Sequence, residues 1–166
     1  MRSIGILALS LALGSTACSG NLRTIRGTNI EATQENEHII DVLERYRQRL
    51  QQRDAAGVLA LVSPNYHEDS GTPGAEDDYG YDRLKTIIGD RMARLRSIRY
   101  GLEYRKIHVK QIDKSRRVAE VEVYIDASFQ LASGREGGND RYKRITEYNK
   151  LELENDGKRW LIVHGL

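Results

Sequence analysis

The stretch YRQRLQQRDAAGVLALVSPNY, residues 46–66, holds two helical patterns that are separated by Arg53 and Asp54. The first pattern begins upstream of the stretch, and its apolar positions recur on one face of a helix of about five turns: Ile39, Leu43, Tyr46 and Leu50. Asp54 is a candidate N-cap for the second, shorter helix, which Pro64 is expected to close. The stretch therefore predicts two consecutive helices.

Downstream of this stretch the pattern changes from helix to strand. A third helix is predicted from about Asp82 to Arg96, with Asp82 as its N-cap. After Arg96 the apolar period falls to two, and a change of parity near Arg105 indicates a β-bulge. Residues 118–131 alternate between apolar and polar side chains, so one face of that strand should be packed.

Two further strands are predicted at residues 141–154 and 158–164, on either side of the turn Asn155-Asp156-Gly157. Helices come first in the chain and long antiparallel strands follow. This order predicts an α+β fold, in which a curved antiparallel sheet wraps around the N-terminal helices as a cone.

The opening residues, MRSIGILALSLALGSTACSG, place Arg2 and a short apolar run ahead of Cys18. The run is too short to span a bilayer, and the pattern predicts a secretory signal peptide over residues 1–17. Cys18 resembles the lipidated cysteine of bacterial lipoproteins, and Ser19 after it resembles their outer-membrane sorting signal. Ordinary cleavage after Ala17 is the alternative.

The lipoprotein interpretation sets the predicted domain organisation. Residues 18–34 are the lipidated cysteine and a flexible, polar tether, and residues 35–166 are the folded domain. The expected location is the cell envelope, in the outer membrane and facing the periplasm. The membrane is then a partner through the lipid anchor.

Composition narrows the function classes. The net charge is +2 with 30% charged residues, which gives no reason to expect a nucleic-acid partner. Cys18 is the only cysteine, so no disulfide framework exists. Residues 54–82 contain seven acidic residues and no lysine or arginine. An acidic loop is therefore predicted, and it would disfavour anionic ligands.

Two stretches carry a family resemblance: residues 46–66, quoted above, and NDGKRWLIVHGL, residues 155–166. Their order and spacing resemble the nuclear transport factor 2-like superfamily, also called SnoaL-like or cystatin-like. The resemblance covers residues 35–166. It implies an open cone whose mouth is closed by the loop after the second helix. It does not imply one function, because this scaffold hosts enzymes, carriers and oligomerisation modules.

Ketosteroid isomerases of this superfamily suggest three catalytic candidates. By resemblance, Tyr46 matches a hydrogen-bond donor on the first helix and Asp69, or Glu68, matches the base after the second. Asn149 falls near the third position, where the family has a carboxylic acid. Strand parity independently places Glu147 and Asn149 on the inward face. A purely structural network of Glu147, Asn149 and Tyr46 is the alternative.

The predicted ligand pocket comprises the residues expected to face the cone: Tyr66, Glu68, Glu147, Trp160 and His164. No metal and no cofactor are predicted. His67, Glu68 and Asp69 are adjacent in sequence, and alternate side chains of a strand point apart.

Two functions from different classes follow. The first is a non-enzymatic envelope lipoprotein whose cone binds a small apolar ligand or mediates protein association, including a homodimer. The alternative is a small pocket enzyme that performs proton-transfer chemistry, as an isomerase, dehydratase or hydrolase would, with Asp69 as base.

Overall fold

The computed structural model describes residues 23–69, 78–133 and 138–166. The predicted signal peptide, the predicted lipidation site Cys18 and the tip of the acidic loop lie outside the described residues. No helix in the described parts of the chain is long and apolar enough to cross a membrane.

The two predicted helices are present. Helix α1 spans Gln34–Gln51 and helix α2 spans Ala55–Leu59. Asp54 is the N-cap of α2, as predicted, and its carboxylate accepts a hydrogen bond of 2.8 Å from the Gly57 amide. Helix α2 ends before the predicted stop at Pro64, because Leu61 and Ser63 already hydrogen-bond to the backbone of Ile162.

The chain next forms a short two-stranded ladder, made by β1 (His67–Glu68) and β2 (Tyr79–Gly80). Helix α3 follows directly and spans Tyr81–Arg94. The prediction that Asp82 is its N-cap was wrong. Gly80 is the N-cap and Asp82 lies in the first turn, because the helix begins directly after the last residue of β2.

The main sheet has four antiparallel strands in the order β3-β4-β5-β6. The strands are β3 (Leu95–Gln111), β4 (Arg117–Leu131), β5 (Arg141–Asn155) and β6 (Trp160–His164). Strand β3 starts before the predicted end of α3 at Arg96. A register shift between Tyr104 and Lys106 confirms the predicted bulge.

The core lies between the helices and one face of this sheet. Strand β4 contributes alternate residues to it, and those are the positions predicted from the sequence: Ala119, Val121, Val123, Ile125 and Ala127. Helix α1 adds the face that its periodicity predicted, with Ile39 and Leu43 fully buried. The α+β cone predicted from the sequence is thereby confirmed.

Strand β6 covers only part of its neighbour. It pairs with β5 over residues 152–155, whereas β4 pairs with β5 along residues 141–155. Among the described residues, none forms a strand along the outer edge of residues 141–150. At these positions one side of the β5 backbone therefore has no strand partner within residues 23–69, 78–133 and 138–166.

The described part of the predicted tether is attached to the domain. Thr24 and Glu31 form a β-bridge, Ile30 is buried, and the Thr33 side chain caps α1. Residues 23–33 are thus ordered by their own hydrogen bonds and by burial of Ile30. This corrects the expectation that all residues up to Gln34 are a flexible tether.

Candidate functional site at the mouth of the cone

The candidate site forms where β1 meets the end of β6. The ladder pairs His67 with Gly80 and Glu68 with Tyr79, so it joins the two ends of the acidic loop. Side chains from β1 and β6 come together beside it. The site is therefore built from segments almost a hundred residues apart in sequence.

Glu68 is the centre of the hydrogen bonds in this site. Its Oε2 accepts from the Tyr66 hydroxyl at 2.7 Å and from the Gly165 amide at 3.1 Å. The Tyr66 hydroxyl in turn accepts from the Leu166 amide at 3.1 Å. Burial, and then the hydrogen bond to Glu68, raise the pKa of Tyr66 far above its ordinary value. One carboxylate oxygen is thus fully used in holding residues 165–166.

His164 faces the other oxygen of Glu68. Its Nδ1 lies 2.9 Å from the His67 carbonyl oxygen, which can only accept, so Nδ1 carries the proton. Its Nε2 lies 3.7 Å from Glu68 Oε1. Ligand atoms of Glu68, Asp69 and His164 all lie within 4.8 Å of one another. The site therefore combines two carboxylates with one imidazole of defined tautomer.

Asn149 joins this cluster through the backbone. Its amide nitrogen donates to the Gly165 carbonyl at 3.0 Å, and its Oδ1 accepts from the Lys150 amide at 2.8 Å. Both ends of the side chain therefore contact backbone groups. Gly165 is held on its two sides, by Glu68 at the amide and by Asn149 at the carbonyl.

Tyr46 lies in the buried floor of the cone. Its ring meets Tyr100 edge to face, with ring centroids 6.0 Å apart. Farther along β3, the hydroxyl of the half-buried Tyr104 donates to Glu44 at 2.7 Å. Burial raises the pKa of Tyr46 well above its ordinary value, and it raises the pKa of Tyr100 to about 12. The tyrosines therefore stay neutral and can donate hydrogen bonds at physiological pH.

Two predicted pocket residues lie elsewhere. Glu147 is exposed, which corrects the expectation of a buried carboxylate. The alternation along β5 correctly predicted the face on which Glu147 lies, since Glu147 pairs with Ile125 of the packed face. The side chain is nevertheless exposed, because the helices do not cover this end of β5. Trp160 is buried at the start of β6, where the Arg117 guanidinium lies 5.8 Å from its ring. The structure thus brings together Tyr66, Glu68, Asp69 and His164. Their functional roles, with those of Tyr46 and Asn149, stay predictions.

A groove opens beside this cluster, between the ladder and α3. Its volume is about 1050 Å³, and its apolar lining is mainly aromatic: Pro64, Tyr66, Tyr79, Tyr81 and Ile87. Its charged lining is His67, Asp78, Asp82 and Arg83. Tyr79 and Tyr81 are site residues that the sequence reasoning missed. The available signal was the triplet Tyr-Gly-Tyr, residues 79–81, which flanks the ladder with aromatic rings.

No family sequence profile matches this chain, and no curated protein matches it in sequence. Several solved structures match it in fold. A proposed scytalone dehydratase from Novosphingobium aromaticivorans has a TM-score of 0.60 and 12% identity, over 79% of this chain and 80% of its own. A proposed dehydratase of the NTF2-like family from Streptomyces avermitilis has a TM-score of 0.56 and 12% identity, over 79% of this chain and 93% of its own.

A third neighbour is an uncharacterised protein with a cystatin-like fold from Caulobacter vibrioides. It has a TM-score of 0.52 and 12% identity, over 80% of this chain and 87% of its own. The chain therefore has the nuclear transport factor 2-like, cystatin-like fold, and the resemblance seen in the sequence is confirmed at that level. At these identities the likeness concerns the fold.

The buried tyrosines predict a specific loss of stability in alkali. An unfolded tyrosine ionises near pH 10, whereas Tyr100 in the fold has a pKa of about 12. The stabilising contribution of Tyr100 is complete below the pKa of the unfolded chain, and it is lost as the pH rises toward the pKa of the folded protein. At pH 11 this one residue should cost about 1.4 kcal/mol of unfolding free energy relative to pH 8.

Urea unfolding at these two pH values measures that loss. The Tyr100→Phe variant should lose about 1.4 kcal/mol less than the unmodified protein between the two conditions. Tyr142→Phe is the control, since Tyr142 is 78% exposed. Equal pH dependence in all three proteins would show that Tyr100 ionises as easily in the fold as in the unfolded chain.

Proposed function

We propose that this chain is an envelope lipoprotein, anchored through Cys18, whose cone domain binds a small, largely apolar ligand without catalysing its conversion. The observation that carries the proposal is the aromatic groove between the ladder and α3. Its volume of about 1050 Å³ is large enough for a small molecule, and its lining combines aromatic rings with polar and charged side chains. Tyr79 and Tyr81, which are half-buried, supply aromatic surface for the apolar part of a ligand.

Charge narrows the ligand class further. The groove has two carboxylates, from Asp78 and Asp82, against one arginine and one histidine. Asp78 lies 3.8 Å from His67, and the Asp82 side chain is almost wholly exposed. An anionic ligand would gain little here, so the preferred ligand is neutral or cationic.

The support for a binding role over a catalytic one comes from how the candidate residues are used. Tyr46 packs against Tyr100 in the floor, Asn149 holds Gly165, and one oxygen of Glu68 holds residues 165–166. These contacts serve the fold. Tyr46, Asn149 and this oxygen of Glu68 are therefore engaged by contacts within the protein, which favours a structural role for them.

Native mass spectrometry of the full chain, purified from its own host in mild detergent, tests the proposal. We expect a co-purified small molecule on the unmodified protein. Tyr81→Ala should reduce the ligand affinity about tenfold, because it removes one aromatic wall of the groove.

Tyr142→Ala is the matched control, since it removes the same side chain from an exposed strand position. It should leave the bound ligand unchanged. A protein that carries no small molecule, or an equal loss in both variants, would contradict the groove as the binding site. The same spectra give the subunit count, which tests the proposed homodimer.

Proton-transfer catalysis is a second candidate, favoured by the carboxylates and imidazole beside the groove. It predicts that Asp69→Asn still binds the co-purified molecule but no longer converts it. Under the binding proposal, the unmodified protein returns the molecule unchanged after prolonged incubation. Recovery of a chemically altered product from the unmodified protein alone would favour the enzyme.

A further inference from the structure

We propose that Glu68, Asp69 and His164 form a site for a divalent transition metal of the zinc class. The inference is independent of the small ligand proposed above, because it rests on different atoms. The three side chains offer one imidazole nitrogen and two carboxylates, all within 4.8 Å of one another. Imidazole and carboxylate are ordinary zinc ligands, and the two negative charges balance a divalent ion.

His164 is prepared for metal binding by its own hydrogen bond. Because Nδ1 donates to the His67 carbonyl at 2.9 Å, the lone pair of the neutral ring lies on Nε2. Histidines that bind metals usually donate their other ring N–H to a carbonyl or carboxylate in this way. The backbone of β1 therefore fixes both the tautomer and the direction of the ligand atom.

Glu68 is oriented in a similar manner. Tyr66 and Gly165 both donate to Oε2, which leaves Oε1 on the side of His164. Oε1 and Nε2 lie 3.7 Å apart. Two ligands about 2.1 Å from a tetrahedral ion are about 3.4 Å apart, so a shift of a few tenths of an ångström brings Glu68 and His164 to ligand spacing.

Asp69 supplies the third ligand from the start of the acidic loop. Strand β1 ends at Glu68, so the alternation of side chains that argued against a metal does not extend to Asp69. Glu68 is 14% exposed and His164 27%, whereas Asp69 is exposed. A metal held here would have protein on one side and solvent on the other. Three protein ligands and an open position are typical of accessible zinc sites.

Isothermal titration with Zn²⁺ tests the site on the full chain. The Cys18→Ser background removes the thiol that an unlipidated Cys18 would offer to the metal, and the protein should carry no polyhistidine tag. We expect one Zn²⁺ per chain. His164→Gln and Asp69→Asn should each weaken binding at least tenfold, since each removes one ligand. Titration with Co²⁺ should give a visible absorption spectrum that both variants lose.

His108→Gln is the matched control. His108 is an exposed histidine on β3 that lies outside the ligand set and outside the groove. This variant should bind Zn²⁺ as the parent does. If His164→Gln fails to fold, the exposed Asp69→Asn variant decides. Absence of stoichiometric binding, or unchanged affinity in Asp69→Asn, overturns the proposal, as does an equal loss in His108→Gln.

Discussion

Replacing Leu43 by alanine should lower the free energy of unfolding by about 2–5 kcal/mol. Leu43 is 0% exposed and lies in the middle of α1, where the helix packs against the sheet. The substitution removes apolar contacts and leaves a cavity that the surrounding strands cannot fill. Since whole domains are stable by only about 5–15 kcal/mol, this loss is a large part of the total.

Urea denaturation gives the size of this loss directly. Ile112→Ala is the control, because Ile112 is 48% exposed and removing its side chain uncovers little. That variant should stay within about 0.5 kcal/mol of the parent. If the two substitutions cost the same, α1 does not pack into the core as described here.

Replacing Gly165 by alanine should be the second severe change. Gly165 has a φ of +95°, which side chains rarely adopt. A Cβ there would also lie closer to the Lys150 carbonyl oxygen than any normal contact allows, and 3.3 Å from Leu151. Backbone strain alone costs about 1–3 kcal/mol. The collision adds to this cost, because residue 165 must move away from Lys150.

The effect of the collision at Gly165 can be separated from the effect of backbone strain. Gly27 has a similar φ of +79°, but a Cβ there would meet nothing within 4 Å. Gly27→Ala therefore measures strain alone, and Gly165→Ala should be clearly less stable in the same urea experiment. Because Gly165 also donates to Glu68, its displacement should weaken Zn²⁺ binding, whereas Gly27→Ala should not. Equal stability of the two variants would mean that residues 165–166 adjust freely.

Much of the fold follows from local pattern. The sequence correctly predicted four features: the inward face of α1, the cap at Asp54, the alternation along β4 and the bulge near Arg105. Each of these depends on residues that are close together in sequence. Period and capping chemistry act over a few residues, so one sequence is enough to reveal them. The order of these elements then indicated the fold.

The site could be predicted only in part. Tyr66, Glu68, Asp69 and His164 were all candidates, but nothing local shows that the backbone of His67 would orient His164. Parity correctly gave the face of Glu147, yet how far the helices extend over that face depends on tertiary packing. The start of α3 likewise depends on the pairing of β1 with β2.

No strand among the described residues covers the edge of β5 at residues 141–148, and this has a consequence for how the protein behaves in concentrated solution. Residues 141–148 present backbone groups along one side, and a strand from another molecule could pair there. This segment carries three basic residues and one acidic residue, so two copies that approach edge to edge repel each other. The repulsion weakens as salt shortens its range, from about 10 Å at 0.1 M to about 3 Å at 1 M. Colloidal stability of this domain should therefore fall as ionic strength rises.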